Sequence, residues 1–291
     1  MELFLPARQP FVLDSVIQSH GWVQLLPFGS DEQYTSLSYV LEIDAGDVVA
    51  ISVQETPGGV RVQVDSPLSS VAQSELAGKI AWMLGLDMDF SSFYSQASGE
   101  PKLATAAQRA RGRILRSATI FEDVVRTILT TNTTWSGTKR MVKALVDMYG
   151  APLASNPEIK AFPTSPRLAA ADVEKLRKEG KLGYRAPYIH ELAQRADSGE
   201  LDLEALKANS LPTPELRKRL LMLKGVGDYA AANLLMLLGH YDFIPVDSWA
   251  LKMVSNEFYS GNPIGRKEVE AAFERWGEWQ GLAFWLWEWT E

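Results

Sequence analysis

The segment Leu221 to Lys252, LMLKGVGDYAAANLLMLLGHYDFIPVDSWALK, holds the residues whose types and spacing best suit chemistry. Gly225-Val226-Gly227 sits between two apolar helical stretches. Its glycines permit a tight turn and leave backbone N–H groups uncovered by side chains. Those amides fall at the N-terminus of a helix beginning near Asp228, where unsatisfied N–H groups hold a phosphate. Downstream, Asp247 follows Pro245 at the start of a further helix. A backbone clamp with a carboxylate at a fixed distance points to an enzyme that works on DNA. Each half also has a plain structural reading. Gly-Val-Gly is an ordinary turn in many helix pairs, and Asp247 is in the position of a helix N-cap.

The rest of the chain must position these groups. With 291 residues, 46% of them apolar, it suits one large or roughly two to three small domains with an ample core. It has no cysteine, which excludes disulfides and thiolate zinc sites. The first ten residues, MELFLPARQP, lack a basic segment and a long apolar run. No window approaches the roughly 18 apolar residues of a membrane span, so a cytoplasmic protein without membrane association is expected. The net charge of −7 opposes DNA binding, but the charge is unevenly distributed. Between Pro101 and Leu145 stand Lys102, Arg109, Arg111, Arg113, Arg116, Arg126, Lys139, Arg140 and Lys143, against only Glu122 and Asp123. That asymmetry predicts a face for an anionic partner. A solvated helix face is the alternative, above all for Arg109 to Arg116.

The first hundred residues alternate in hydropathy at Leu37–Ile43, Val48–Val53 and Val60–Val64. Glu55-Thr56-Pro57-Gly58-Gly59 joins the last two as a hairpin in a small antiparallel sheet. A helix from about Ser69 to Leu84 is expected to pack Val71, Leu76, Ile80 and Leu84 on that sheet. Ser98-Gly99-Glu100-Pro101 marks a boundary, giving an N-terminal α+β domain over residues 1–100 and a helical domain over 101–291. In the second part, helical spacing runs through Phe121–Thr131, Thr138–Tyr149, Ala186–Asp197, Pro214–Leu223, Tyr229–Leu238, Ser248–Phe258 and Lys267–Trp276. Asp172-Val173-Glu174 and Asp202-Leu203-Glu204 read as helix starts, and Gly183 and Gly239 as stops.

The hairpin glycines, Tyr229 two residues past the second of them, and Asp247 further on together resemble the helix-hairpin-helix DNA glycosylase superfamily. Within it the whole chain is similar to bacterial 3-methyladenine DNA glycosylase II and, slightly less, to the 8-oxoguanine glycosylases. Phe121 to Leu129, Phe162-Pro163-Thr164 with Arg167 to Asp172, and Ala283 to Trp289 carry the first likeness. Leu182-Gly183-Tyr184-Arg185-Ala186 is common to both groups. The resemblance implies an α+β fold: an N-terminal antiparallel β-sheet with a helix, then a mostly α-helical core of two lobes with the active-site cleft between them. It also implies a monomer acting on double-stranded DNA that contains a damaged base, associated with the nucleoid while doing so. Without cysteine, the iron–sulfur cluster of many relatives of endonuclease III has no ligands here.

The same resemblance assigns roles. A glycosylase flips the nucleotide out of the stack, and a carboxylate near C1′ stabilises the oxocarbenium-like state and orients water. By motif that carboxylate is Asp247. Superfamily lyases carry a Lys where this chain has Tyr229, and a phenol forms no Schiff base, so a monofunctional glycosylase is expected. Alkylated purines are cationic and favour an aromatic pocket. Trp276, Trp279, Phe284, Trp285, Trp287 and Trp289 offer walls, although Trp at helical spacing is more often core; Tyr229, Trp285 and Trp249 are the candidates. The loop Thr130 to Trp135 corresponds to the one that fills the vacated stack. Asn132 resembles the gap-filling Asn of 8-oxoguanine glycosylases, with Thr133 beside it. A polar helix cap is the alternative for Asn132, and hypoxanthine, uracil or an oxidised purine are the alternative lesions. A non-catalytic DNA clamp is the alternative from another class.

Backbone grip is assigned to Lys224, Gly225, Val226, Gly227 and Lys252, together with the Tyr229 amide. The carbonyls of Leu221, Leu223 and Val226 match a sodium or potassium site, and no other cofactor is implied. Tyr184 and Arg185 are read as packing residues. His20, His190 and His240 lack metal-ligand spacing.

Overall fold

The computed structural model describes residues 1–43, 46–208 and 211–287. Among the described residues seven strands occur in chain order: β1 (Glu2–Pro6), β2 (Gly29–Ser30), β3 (Ser36–Glu42), β4 (Val48–Thr56), β5 (Gly59–Val64), β6 (Pro152–Leu153) and β7 (Asn156–Lys160). The helices of the first half are α1 (Leu13–Ile17), α2 (Ser70–Leu84), α3 (Ser91–Ala97), α4 (Thr105–Gln108), α5 (Ile120–Thr130) and α6 (Trp135–Tyr149). Those of the second half are α7 (Ser165–Ala169), α8 (Val173–Lys178), α9 (Ala186–Asp197), α10 (Thr213–Leu221), α11 (Asp228–Leu237), α12 (Ser248–Phe258), α13 (Arg266–Phe273) and α14 (Gln280–Leu286). None of the described helices is long and apolar enough to cross a membrane.

The chain forms two compact units, neither continuous in sequence. The first comprises Met1–Asp89 and Arg113–Asn209, and the second Phe90–Gly112 and Ser210–Glu291. Residue 100, where composition suggests a boundary, falls inside the second unit's N-terminal segment.

In the first unit an antiparallel sheet has the order β1-β5-β4-β3-β2. Alternation of buried and exposed residues sets its register, with Leu37 opposite Val53 and Ser38 opposite Ser52. The expected hairpin is present, but pairing continues to Thr56 and Gly59 across a two-residue Pro57-Gly58 turn. Strand β1 was not legible in the sequence. It pairs only with β5, ends on Pro6 and buries no residue fully, which suits an edge. Helix α2 starts at Ser69, whose hydroxyl accepts from Ala72 N–H at 3.2 Å. Its buried face is Ala72, Leu76, Ile80, Met83 and Leu84. Val71, expected on that face, is 77% exposed. Ala72, four residues before Leu76, takes the inward position, and Val71 lies about 100° round the helix from it.

Helix α5 is the buried axis of this unit. Glu122, Asp123, Arg126 and Thr127 are buried along with its apolar residues. Glu122 accepts from Arg126 Nε at 2.9 Å and from the Tyr39 hydroxyl at 2.5 Å. Burial pushes the Glu122 carboxyl up, and the Arg126 guanidinium pulls against it. Asp123 accepts from Trp22 Nε1 at 2.9 Å and from Ser117 N–H at 3.0 Å.

Three cations of the expected basic face turn inward instead. Arg113, Arg116 and Arg126 are buried. The Arg113 guanidinium donates to the carbonyls of Gly85, Pro10, Arg8 and Met88, and Arg116 lies over the Trp82 ring at 4.2 Å. Sequence density of charge therefore overstates surface charge here, because three of the nine cations tie loops together from inside while the other six stay at least partly exposed.

The second unit is helical. Phe90, Phe93, Tyr241, Trp276 and Trp279 form an aromatic core, with Tyr241 and Trp279 stacked at 5.6 Å and 24°. Helix α13 stops at Phe273, short of the expected Trp276. A 3-10 stretch follows and is broken at Gly277, whose φ of 54° and ψ of −122° are not helical. In the first unit, the helix start expected at Asp202 is only a 3-10 turn over Glu204–Ala208, although Asp202 does accept from Ala205 N–H at 3.0 Å.

Candidate active site

The hairpin joining α10 to α11 is closed by Val226 N–H donating to the Leu223 carbonyl at 3.0 Å. Gly225 adopts a φ of 89°, which an L side chain resists. Val226 and Leu223 are buried and anchor the turn to the core. Gly227 is the N-cap of α11 and offers no side-chain cap. A methyl group there would meet nothing within 4 Å. No atom therefore crowds the Gly227 side of the hairpin at the positive end of α11. Lys224 and Lys252 are exposed. Arg217 of α10 ion-pairs with Asp228 of α11 and lies over Phe243 at 5.2 Å, holding the two helices of the motif together.

Pro245 leads into α12, and Asp247 is its N-cap: Oδ1 accepts from Ala250 N–H at 2.8 Å. The capping alternative raised by the sequence is therefore true of Asp247. It does not remove the side chain from solvent, since Asp247 is exposed and lines a cavity of about 380 Å³. Tyr229, Asn233, Pro245, Trp249, Phe284 and Trp285 complete the lining. Trp249 meets Phe284 edge-on, 5.5 Å between centroids at 79°. Tyr229 and Trp249 are 53% and 47% exposed, so their rings are open to a ligand. Phe284 is buried and backs the wall.

The aromatic residues near the C-terminus divide clearly. Trp276, Trp279 and Trp287 are core, while Phe284 and Trp285 reach the cavity. Trp289 lies outside the described residues. Asn233 was not singled out in the sequence, and Pro245 only for its place before Asp247. Asn233 stands one helical turn past Tyr229, and its Nδ2 donates to the Tyr229 carbonyl at 2.8 Å. That i, i+4 spacing was the available signal.

In the first unit, the loop between α5 and α6 resolves the capping question for Asn132. Thr134 is the N-cap of α6, accepting from Gly137 N–H at 3.3 Å, which is why α6 begins at Trp135 and not at Thr138. Asn132 caps nothing. It sits exposed at φ 46°, and its Nδ2 donates to the Tyr184 hydroxyl at 3.3 Å. Arg185 donates to the carbonyls of Thr131 and Asn132, the latter at 3.1 Å. Tyr184 and Arg185 thus hold this loop and are more than packing residues. Thr133 is exposed beside Asn132, its Oγ1 lying against the Gly137 backbone. Hydrogen bonds to Asn132 and Thr131 draw the Tyr184 hydroxyl below its ordinary pKa, against the opposing effect of desolvation.

His20 and His240 have structural roles. His20 bonds the Leu115 carbonyl at 2.6 Å, and burial lowers its pKa to about 4. His240 bonds the Thr213 hydroxyl at 2.8 Å. Among the described residues no three His, Asp or Glu side chains are grouped to hold a metal ion.

Residues 125–278 match the HhH-GPD superfamily of base excision DNA repair proteins. The chain belongs to that superfamily and is a DNA glycosylase of base excision repair. It is 26% identical over 229 residues to a DNA-3-methyladenine glycosylase of Bacillus subtilis (strain 168), covering 76% of this chain and 74% of that protein. Its fold resembles the 3-methyladenine DNA-glycosylase of Archaeoglobus fulgidus, with a TM-score of 0.77 at 22% identity over 98% of this chain and 97% of the other. It also resembles the 8-oxoguanine glycosylase/lyase of Clostridium acetobutylicum, with a TM-score of 0.73 at 22% identity over 98% and 95% of the two chains.

Proposed function

We propose that this glycosylase is monofunctional and hydrolyses the N-glycosidic bond of flipped-out alkylated purines in double-stranded DNA, acting as a monomer. The observation that carries the reading is the shared cavity: Asp247 lines it together with Tyr229, Trp249, Phe284 and Trp285. Cationic purines gain from electron-rich rings and bring an activated leaving group, so no protein acid is required. The Asp247 carboxylate, fixed through Oδ1 by its own helix, faces the charge that develops on the sugar and orients the attacking water. Tyr229 stands at the first turn of α11 and provides no amine for a Schiff base.

DNA is gripped by the amides around Gly225, Val226 and Gly227, with Lys224 and Lys252 adding charge and Asn132 and Thr133 entering at the lesion. The hairpin carbonyls of Leu221, Leu223 and Val226 suit a sodium or potassium ion, with that of Leu223 also accepting from Val226. The protein acts in the cytoplasm, at the nucleoid.

A second reading keeps the reaction and changes the lesion to hypoxanthine, uracil or 8-oxoguanine. The exposed Asn132, held out by Tyr184 and Arg185, is the observation that favours it. Base release from duplex oligonucleotides, each with one lesion and each split into alkali-treated and untreated samples, separates the readings. Release of 3-methyladenine or 7-methylguanine, with breaks only after alkali, supports the first. Release confined to the other lesions moves the specificity to the second. Release of nothing leaves a non-catalytic clamp.

A further inference from the structure

We propose that Trp135, seated on Gly21, is a positioning residue for Asn132, so that the first unit's N-terminal segment takes part in opening the duplex. The inference rests on the reading of Asn132 as the side chain that enters the vacated stack.

Asn132 sits at φ 46°, in the left-handed region that Asn tolerates better than most residues, so its place depends on what holds the loop on either side. Its neighbours are engaged locally. Thr130 and Thr131 donate to the carbonyls of Thr127 and Ile128, each at 2.7 Å, and Thr134 caps α6. From one side, Arg185 and Tyr184 hold the loop through the bonds described above. From the other side, Trp135 does so as the first residue of α6, three positions after Asn132. A methyl group at Gly21 would lie 2.5 Å from Cζ2 and 2.7 Å from Cη2 of the Trp135 ring. Gly21 is not among the residues of positive φ, so space for the indole is what glycine supplies there. The indole Nε1 donates to Gln24 Oε1 at 2.8 Å.

Both contacts come from one 3-10 turn, Gly21–Gln24. The core fixes that turn in place: His20 bonds the Leu115 carbonyl, and Trp22 Nε1 bonds buried Asp123. A rigid turn thus seats the indole, the indole sets the start of α6, and the start of α6 sets the Asn132 loop. Such preorganisation lowers the ordering cost of insertion into DNA.

The test is binding to a duplex with one tetrahydrofuran abasic site and to the same duplex intact, with 2-aminopurine opposite the gap as a reporter. Gly21→Ala forces the indole off its seat. It should lower the preference for the abasic duplex about fivefold, the scale of one or two lost polar contacts. Affinity for intact duplex and the Tm should stay near wild type. Trp135→Ala should lower the preference alike, and Gly21→Ala added to Trp135→Ala should cost nothing more. Gln24→Leu should weaken the preference and Gln24→Glu, which keeps an acceptor, should restore it. Asn132→Ala is the reference. If it lowers the preference while Gly21→Ala and Trp135→Ala do not, or if those two weaken both duplexes equally, the positioning role is wrong. If Asn132→Ala changes nothing, the insertion reading fails first and the positioning role falls with it.

Discussion

Asp247 Oδ1 lies 2.8 Å from the Ala250 amide, so the side chain that starts α12 is the one that lines the aromatic cavity. Cap and candidate catalyst are one group, and the cap orients it. Asp247→Asn keeps a good capping acceptor but loses the charge. It should preserve stability and DNA affinity while reducing single-turnover base release by about 10²–10⁴-fold. Asp247→Ala should in addition cost about 1 kcal/mol of stability through the lost cap. Wild-type turnover in Asp247→Asn would remove Asp247 from the mechanism.

Tyr229 and Asp247 line the same cavity, which makes position 229 the place to introduce an amine. Tyr229→Lys should yield a borohydride-trapped protein–DNA adduct on a lesion-bearing duplex, whereas the wild type should yield none. Trapping of wild-type protein would end the monofunctional reading.

Salt dependence should follow the exposed cations and not the buried Arg113, Arg116 and Arg126. Lys224→Gln and Lys252→Gln should each reduce the slope of log affinity against log salt by about one. Arg113 and Arg126 are bonded to internal carbonyls and to Glu122, so they contribute to folding instead. Unchanged slopes in both lysine variants would move the backbone grip away from the hairpin.

His20 makes acid stability testable. Burial lowers its pKa from 6.5 to about 4, so between those values the unfolded chain binds the proton and the folded protein does not. Stability is therefore complete above pH 6.5 and falls as the pH drops toward 4. Urea unfolding of wild type and His20→Gln across that range should give a difference that shrinks with falling pH, by up to one proton's slope. A constant difference would show that His20 is not kept neutral.

Much of this molecule follows from its sequence. The Ser69 cap of α2, the alternation in β3 to β5, and the exact span of α9 and α12 arise from local rules: caps, period and turn chemistry. The hairpin glycines and Asp247 were legible for the same reason, since both depend on where one helix begins. Tyr229, Trp249 and Trp285, singled out by the resemblance and by residue type, line one cavity with Asp247.

What sequence did not determine depends on partners distant along the chain. Arg113, Arg116 and Arg126 read as a surface patch because charge usually seeks water; only the fold supplies the carbonyls, the ring and the carboxylate that satisfy them inside. Strand β1 has no signal of its own and exists because β5 offers an edge to pair. The chain leaves the first unit at Asp89, returns to it at Arg113 and leaves again after Asn209, an exchange that no local composition marks. Gly21 against Trp135 joins residues over a hundred positions apart, and the glycine there answers to an indole that only tertiary packing brings near.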